Sequence, residues 1–410
     1  MEKIHLWPEE LILDETMVTT AVTIEFPSGK NQRLWYRLPL RYKEAIPRHC
    51  NAFVVATLFL AMDYPADLVV HGEVDFKLLQ NLVEFQTAWV AWCPRYKIIE
   101  ITADRTVETS RTVETSSLSA NNQAIMTFSG GVDSCFTLGR HSRFDLKSPE
   151  KRQRQNLTAG VMVHGFDIAV NQPETFARAF ARSQIILDSG GVELIPLVTN
   201  FRELDQDWED AHGAAIVSCL MLLENIFPIG LIASGPSYKA LVFPQGSNPL
   251  SDRYLSSSSF QIIHDGAGYS RLEKIRELAA WTEVRDHLRV CWQGAELDKN
   301  CCQCEKCVRS ILSFRALGAG LPSCFPQDVR DEQIKTLKVP QAQLEVDFLP
   351  ILHTAKARGI QDSWVKSLES CIRRHERGYA IKAAKIFWRQ QIPLRIKKPL
   401  WQIRRRLIGR

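Results

Sequence analysis

Residues 124–140 read AIMTFSGGVDSCFTLGR, a short apolar run that stops at a glycine pair and passes directly into a helical pattern. Ala124 to Phe128 has the length and composition of a buried strand. The glycines let the following backbone turn tightly and come close to a ligand. A loop of this kind at the start of a helix presents unpaired N–H groups at the positive end of the helix dipole, here with the Ser129 and Ser134 hydroxyls beside them. That is a receptor for phosphate or pyrophosphate, which makes ATP the leading ligand. A structural strand-to-helix turn is the alternative.

Downstream, the order strand, helix, strand, helix predicts a doubly wound parallel sheet covered on both faces. Strands are expected over 157–164, 192–198 and 229–234, with a further one over 260–264, and helices over 173–188 and 208–226. Ligands of such sheets bind beyond the carboxyl ends of the strands. His164, Gly235 and the 164–167 and 199–202 segments are therefore candidate contacts. Asp252, in a long Ser/Gly/Pro-rich connection, could hold Mg²⁺ or a substrate amine, or simply cap a turn. Arg271 and Lys274 lie three apart and share one helix face. Either they steady a pyrophosphate leaving group or they are solvated surface charges.

Cys301-x-x-Cys304-x-x-Cys307 follows Cys291 after a nine-residue gap, which offers four thiolates to one ion. Zinc suits such a set, with an iron–sulfur cluster as the rival. Cys302 breaks the spacing and is spare.

The string SGGVDS resembles the PP-loop of the N-type ATP pyrophosphatases, whose signature is SGGxDS. The likeness implies cleavage of ATP to AMP and pyrophosphate, with adenylation of a carboxyl or carbonyl oxygen. Together with the later cysteine set, covering roughly residues 124–317, the chain is similar to the 7-cyano-7-deazaguanine synthases of the queuosine pathway and to their relatives in antiphage defence. That resemblance implies a C–N ligase with ATP, Mg²⁺ and structural Zn²⁺. Ser129, Gly130, Gly131, Val132, Asp133 and Ser134 would hold the nucleotide, Asp133 and Ser134 would serve catalysis, and Cys291, Cys301, Cys304 and Cys307 would hold zinc. The second substrate would be a deazapurine-like carboxylate, or else a protein or RNA acceptor. A non-catalytic ATP sensor is the competing reading.

Outside this region the expected organisation is an N-terminal α+β domain (1–104), a polar linker with the repeated RTVETS (105–122), the PP-loop domain with its zinc site (123–320) and a helical basic C-terminal region (321–410). The chain carries a net charge of +5, but residues 371–410 hold thirteen Lys/Arg against one acid, so the tail carries +12 and the rest −7. Such a tail suits nucleic acid or an acidic partner, or covers the acidic body itself. Homodimerisation is compatible with this reading. The apolar stretch 214–234 is broken by Glu224, Asn225 and Pro228, so no membrane span is expected. An acidic start without an export signal, and cysteines clustered as metal ligands, point to a cytoplasmic protein.

Overall fold

A computed structural model describes residues 2–108 and 123–391, with side chains to 379. The expected linker and the extreme basic tail lie largely outside the described residues. The chain divides into two compact units, 1–328 and 329–410.

The first unit is α/β and is built on one large, mostly parallel sheet. Its strands are β1 (Glu2–Pro8), β2 (Ile12–Leu13), β3 (Met17–Glu25), β4 (Asn31–Pro39), β5 (Ala66–Asp75), β6 (Ile101–Val107), β7 (Gln123–Thr127), β8 (Asn156–His164), β9 (Glu193–Thr199), β10 (Ile229–Ala233) and β11 (Gln261–Asp265). They run in the order β11-β10-β7-β8-β9-β4-β3-β1-β5-β6, with β2 attached to β3. Strands β11 to β9 are parallel throughout. The N-terminal strands continue the same sheet. β4 pairs antiparallel with β9 through Tyr36–Thr199 and Arg37–Val198, and the Asn200 side chain clips the joint by accepting from Trp35 N and donating to Arg33 O. The sequence division at 105–122 thus separates two segments that share one sheet and one compact unit.

Helices follow from the connections. α1 (Asn51–Asp63) and α2 (Phe76–Trp92) belong to the N-terminal segment; α3 (Val132–Ser142), α4 (Pro173–Ser189), α5 (Trp208–Met221), α6 (Arg271–Leu278), α7 (Thr282–His287) and α8 (Glu305–Ala316) follow. α3 and α4 carry the chain from β7 through β8 to β9, whereas α5 carries it back past β7 to β10. Since such crossovers are right-handed, α5 lies on the opposite face from α3 and α4. The strands show the same division, because alternate residues face opposite sides. Ile125 of β7 joins the core shared by α1 and α5, while its neighbours Ala124 and Met126 are buried outside that core. α2 packs on the turn at 252–255, which itself packs on β11. Twist accumulated over ten strands brings the two ends of the sheet onto one shared core.

The second unit is helical: α9 (Asp331–Thr336), α10 (Gln341–Gln343), α11 (Leu349–Ala357) and α12 (Ser363–Gln391). Ile351, Leu352, Leu368 and Ile372 are buried within it. Among the described residues, no helix is long and apolar enough to cross a membrane.

Candidate functional site

Strand order reverses around β7, whose neighbours are β8 on one side and β10 on the other. Helices leave this point toward both faces, so a crevice opens at its carboxyl end. The Ser129–Ser134 loop occupies that point. Gly130 has φ +73°, a left-handed conformation that costs an L-residue about 1–2 kcal/mol. Gly131 stands immediately before α3, and the Ser129 hydroxyl accepts from its N–H at 3.3 Å. The Ser134 hydroxyl lies 3.3 Å from that of Ser129, so both converge on the first turn of the helix.

Asp133 points away from the helix into a cluster of cations. Lys274 Nζ is 2.9 Å and an Arg271 guanidinium nitrogen 3.4 Å from its carboxylate. Burial alone would raise the Asp133 pKa, but the charges of Lys274 and Arg271 overcome it and hold the carboxyl below its ordinary value. Lys274 is only 1% exposed. It also donates to the Ser234 and Gly235 carbonyls, and so ties β7's loop to the end of β10. These two residues are presented by α6, whose first turn is fixed by a reciprocal cap between Ser270 and Glu273.

Two cavities meet at this loop. The larger, about 720 Å³, runs along the ends of β7 and β8. Met162, Phe166, Trp208 and Ile216 give it an apolar wall, and the Arg202 guanidinium sits 4.3 Å over the Trp208 ring. The smaller, about 120 Å³, lies between the loop and the cysteine segment. Arg271, Arg289 and Lys306 line it together with Asp133 and Asp167. Arg289 binds the loop backbone twice, from its own N–H to Gly130 O at 2.8 Å and from its guanidinium to Ser129 O at 3.1 Å, and reaches Asp167 at 3.4 Å. Burial, then the nearby Arg271 charge, lowers the Lys306 pKa.

The cysteine segment supplies a third feature. Sulfur atoms of Cys291, Cys301, Cys304 and Cys307 all lie within 4.8 Å of one another, a group that could hold a metal ion. Cys301 and Cys307 sulfurs are 3.9 Å apart and those of Cys304 and Cys291 3.7 Å. The hydrogen bond from Cys307 brings the Cys304 thiol down to about 5, while Cys301 and Cys307 are pushed up. Cys302 turns away to Asn300 O at 3.6 Å, on a backbone with φ +57°. The Asn300 side chain pins the Cys291 arm by accepting from Val290 N and Cys291 N and donating to Leu288 O and Cys324 O.

Of the residues singled out in sequence, the structure brings Ser129, Gly130, Gly131, Val132, Asp133, Ser134, Arg271 and Lys274 together, with the Gly235 carbonyl behind Lys274. Arg271 and Lys274 are not a solvated pair but the partners of Asp133. His164 is not among the cavity-lining residues. Its ring bonds Ala169 O at 2.8 Å and stacks on Phe176. Asp252 is fully buried, with His264, the Ser247 hydroxyl and Asn248 N on its carboxylate, and organises its own turn. Cys135 is buried in the core, where desolvation pushes its thiol well up. Sequence reasoning missed Arg289, Lys306 and Trp292. Arg289 carries no motif, although its place just before Cys291 was visible. Lys306, inside the cysteine spacing, was the available signal.

Comparison with known proteins found no matching family model, no matching curated protein and no matching solved structure.

Proposed function

We propose that the chain is an ATP-dependent adenylating enzyme of the PP-loop type, a C–N ligase resembling the 7-cyano-7-deazaguanine synthases. The observation that carries this reading is the placement of SGGVDS at the carboxyl end of β7, where strand order reverses, facing a cavity lined by Arg271, Arg289 and Lys306. Backbone N–H groups of the loop, with the Ser129 and Ser134 hydroxyls, receive the ATP phosphates. The ends of β7 and β8 line the larger cleft, whose apolar wall suits the adenine and the second substrate. That cleft falls within the usual volume of a small-molecule site. A carboxylate oxygen of the second substrate attacks the α-phosphorus, pyrophosphate leaves, and ammonia or an amine then displaces AMP from the acyl adenylate. Asp133 and the surrounding cations orient the phosphates, so that positioning and charge neutralisation supply most of the rate. Mg²⁺ accompanying the nucleotide would neutralise phosphate charge beside Asp133. Zinc would be held by Cys291, Cys301, Cys304 and Cys307. Two of their sulfur separations, 3.9 Å for Cys301–Cys307 and 3.7 Å for Cys304–Cys291, are near the roughly 3.8 Å expected when four thiolates stand about 2.3 Å from one tetrahedral ion. Such a site requires reduced cysteines and fits a cytoplasmic setting.

The favoured acceptor is a deazapurine-like carboxylate. Its test is pyrophosphate and AMP release from ATP by metal-replete protein, with and without 7-carboxy-7-deazaguanine. Stimulated release supports the reading. ATP binding without release under either condition would replace it with a nucleotide sensor. The basic charges of α12, among them Arg373, Arg374 and Arg377, favour one second reading, an RNA acceptor. It requires RNA binding that weakens steeply with salt.

A further inference from the structure

The cysteine segment does more than bring four thiols together. Its first arm places Trp292 directly after Cys291, and its second places Lys306 directly before Cys307. Although thirteen residues separate them in sequence, the Lys306 ammonium lies 5.2 Å from the centre of the Trp292 ring. Both residues line the 120 Å³ cavity and also border the larger cleft. In the small cavity the other cations already have carboxylate partners, Arg271 with Asp133 and Arg289 with Asp167. Among the described residues Lys306 makes no ion pair; the Trp292 ring face lies beside its ammonium, while the Asp167 and Asp133 charges act on it from farther off. At about 120 Å³ the cavity has room for a phosphate or diphosphate group.

We propose that Lys306 and Trp292, one from each arm of the cysteine cluster, form a clamp that binds the diphosphate portion of the nucleotide and the pyrophosphate released from it. This rests on the reading of the loop as an ATP site and assigns two residues outside the SGGVDS motif to it. The ammonium supplies charge. The ring closes the cavity on its solvent side, Trp292 being 47% exposed, and fixes the lysine's direction. Because the two arms that carry these residues also carry the four sulfurs, the clamp is assembled by the same segment that gathers the thiols.

Binding of inorganic pyrophosphate to the full chain, measured by calorimetry, tests this with Lys306→Met, Lys306→Arg and Trp292→Phe. Adenosine binding provides the second readout and metal content the third. Lys306→Met is expected to weaken pyrophosphate binding at least tenfold with adenosine binding and metal content unchanged, while Lys306→Arg retains most of the affinity. The intrinsic tryptophan fluorescence should change on adding pyrophosphate to the wild type and change less in Trp292→Phe. Wild-type pyrophosphate affinity in Lys306→Met overturns the clamp while leaving the ATP reading intact. Failure of the wild type to bind ATP, adenosine and pyrophosphate overturns both. Lys299, exposed and paired with Glu296 in the same segment, provides the control. If Lys299→Met weakens pyrophosphate binding as much as Lys306→Met does, a general charge effect replaces the clamp.

Discussion

Replacing Lys274 by methionine keeps the length and apolar stem of the side chain and removes only its charge. The ammonium stands 2.9 Å from Asp133 and is almost completely buried, with the Ser234 and Gly235 carbonyls as its other partners. At that distance and an effective dielectric constant of about 20, the pair attracts by roughly 6 kcal/mol before desolvation is counted. Removing one member of a buried pair typically costs about 3–5 kcal/mol. Arg271 remains beside Asp133 at 3.4 Å, so the lower end, about 3 kcal/mol, is expected. In a unit of this size that lowers the midpoint of thermal unfolding by roughly 6 °C, at about 2 °C per kcal/mol. Circular dichroism at pH 7 measures it. Asp133→Asn and the double variant complete a cycle, and the double variant should be more stable than the summed losses by about 1–3 kcal/mol. The pH dependence has a definite sign. A carboxyl whose folded pKa lies below its unfolded value contributes stability that is fully present above about pH 4, the unfolded value, and is lost as pH falls through the folded one. Asp133 is such a group, so the wild type should lose stability below pH 4 more steeply than Asp133→Asn. A Lys274→Met variant as stable as the wild type, or a cycle additive within about 0.5 kcal/mol, would refute the reasoning.

Two further outcomes are expected. Cys304→Ser should lower bound metal, measured by elemental analysis of the purified chain, and should destabilise the first unit, whereas Cys302→Ser should retain wild-type metal because its sulfur faces Asn300 O. Equal loss in both would exclude the four-sulfur set. Gly130→Ala should cost about 1–2 kcal/mol from its φ of +73°, with the added methyl 3.1 Å from the Ser183 hydroxyl. Denaturant titration reads the stability, and nucleotide binding should weaken alongside it.

Much of the α/β half was legible because its signals are local. The helix expected over 173–188 runs Pro173–Ser189, and the strand expected over 157–164 runs Asn156–His164. Proline at the helix start and the Gly190-Gly191 pair beyond its end set those limits. The cysteine spacing likewise placed four sulfurs in one group, since three of the four sit within seven residues. What escaped was long-range. That β4 would find β9 depends on two residue pairs and on Asn200, none of which has a sequence signature. β5 went unrecognised because its strand, ADLVVHGEVD, breaks alternation at its Gly72 irregularity. His164 stood at a strand end, where ligands of parallel sheets usually meet protein, and Asp252 in a long Ser/Gly/Pro-rich connection, but buried hydrogen bonds engage both side chains. Arg289 came to the site through tertiary geometry alone.

The joint between β4 and β9 also sets a timetable for the nascent chain. The strands that meet there are about 160 residues apart, so at roughly 5–20 residues per second the ribosome needs about 8–32 s to deliver β9 after β4 has emerged. Throughout that interval the paired β3 and β4 present an open edge with alternating apolar residues such as Leu34, Tyr36 and Leu38, the type of edge that templates pairing between chains. Codon changes that slow translation between residues 40 and 199 should therefore raise the aggregated fraction of newly made protein, although every residue of the finished chain stays the same.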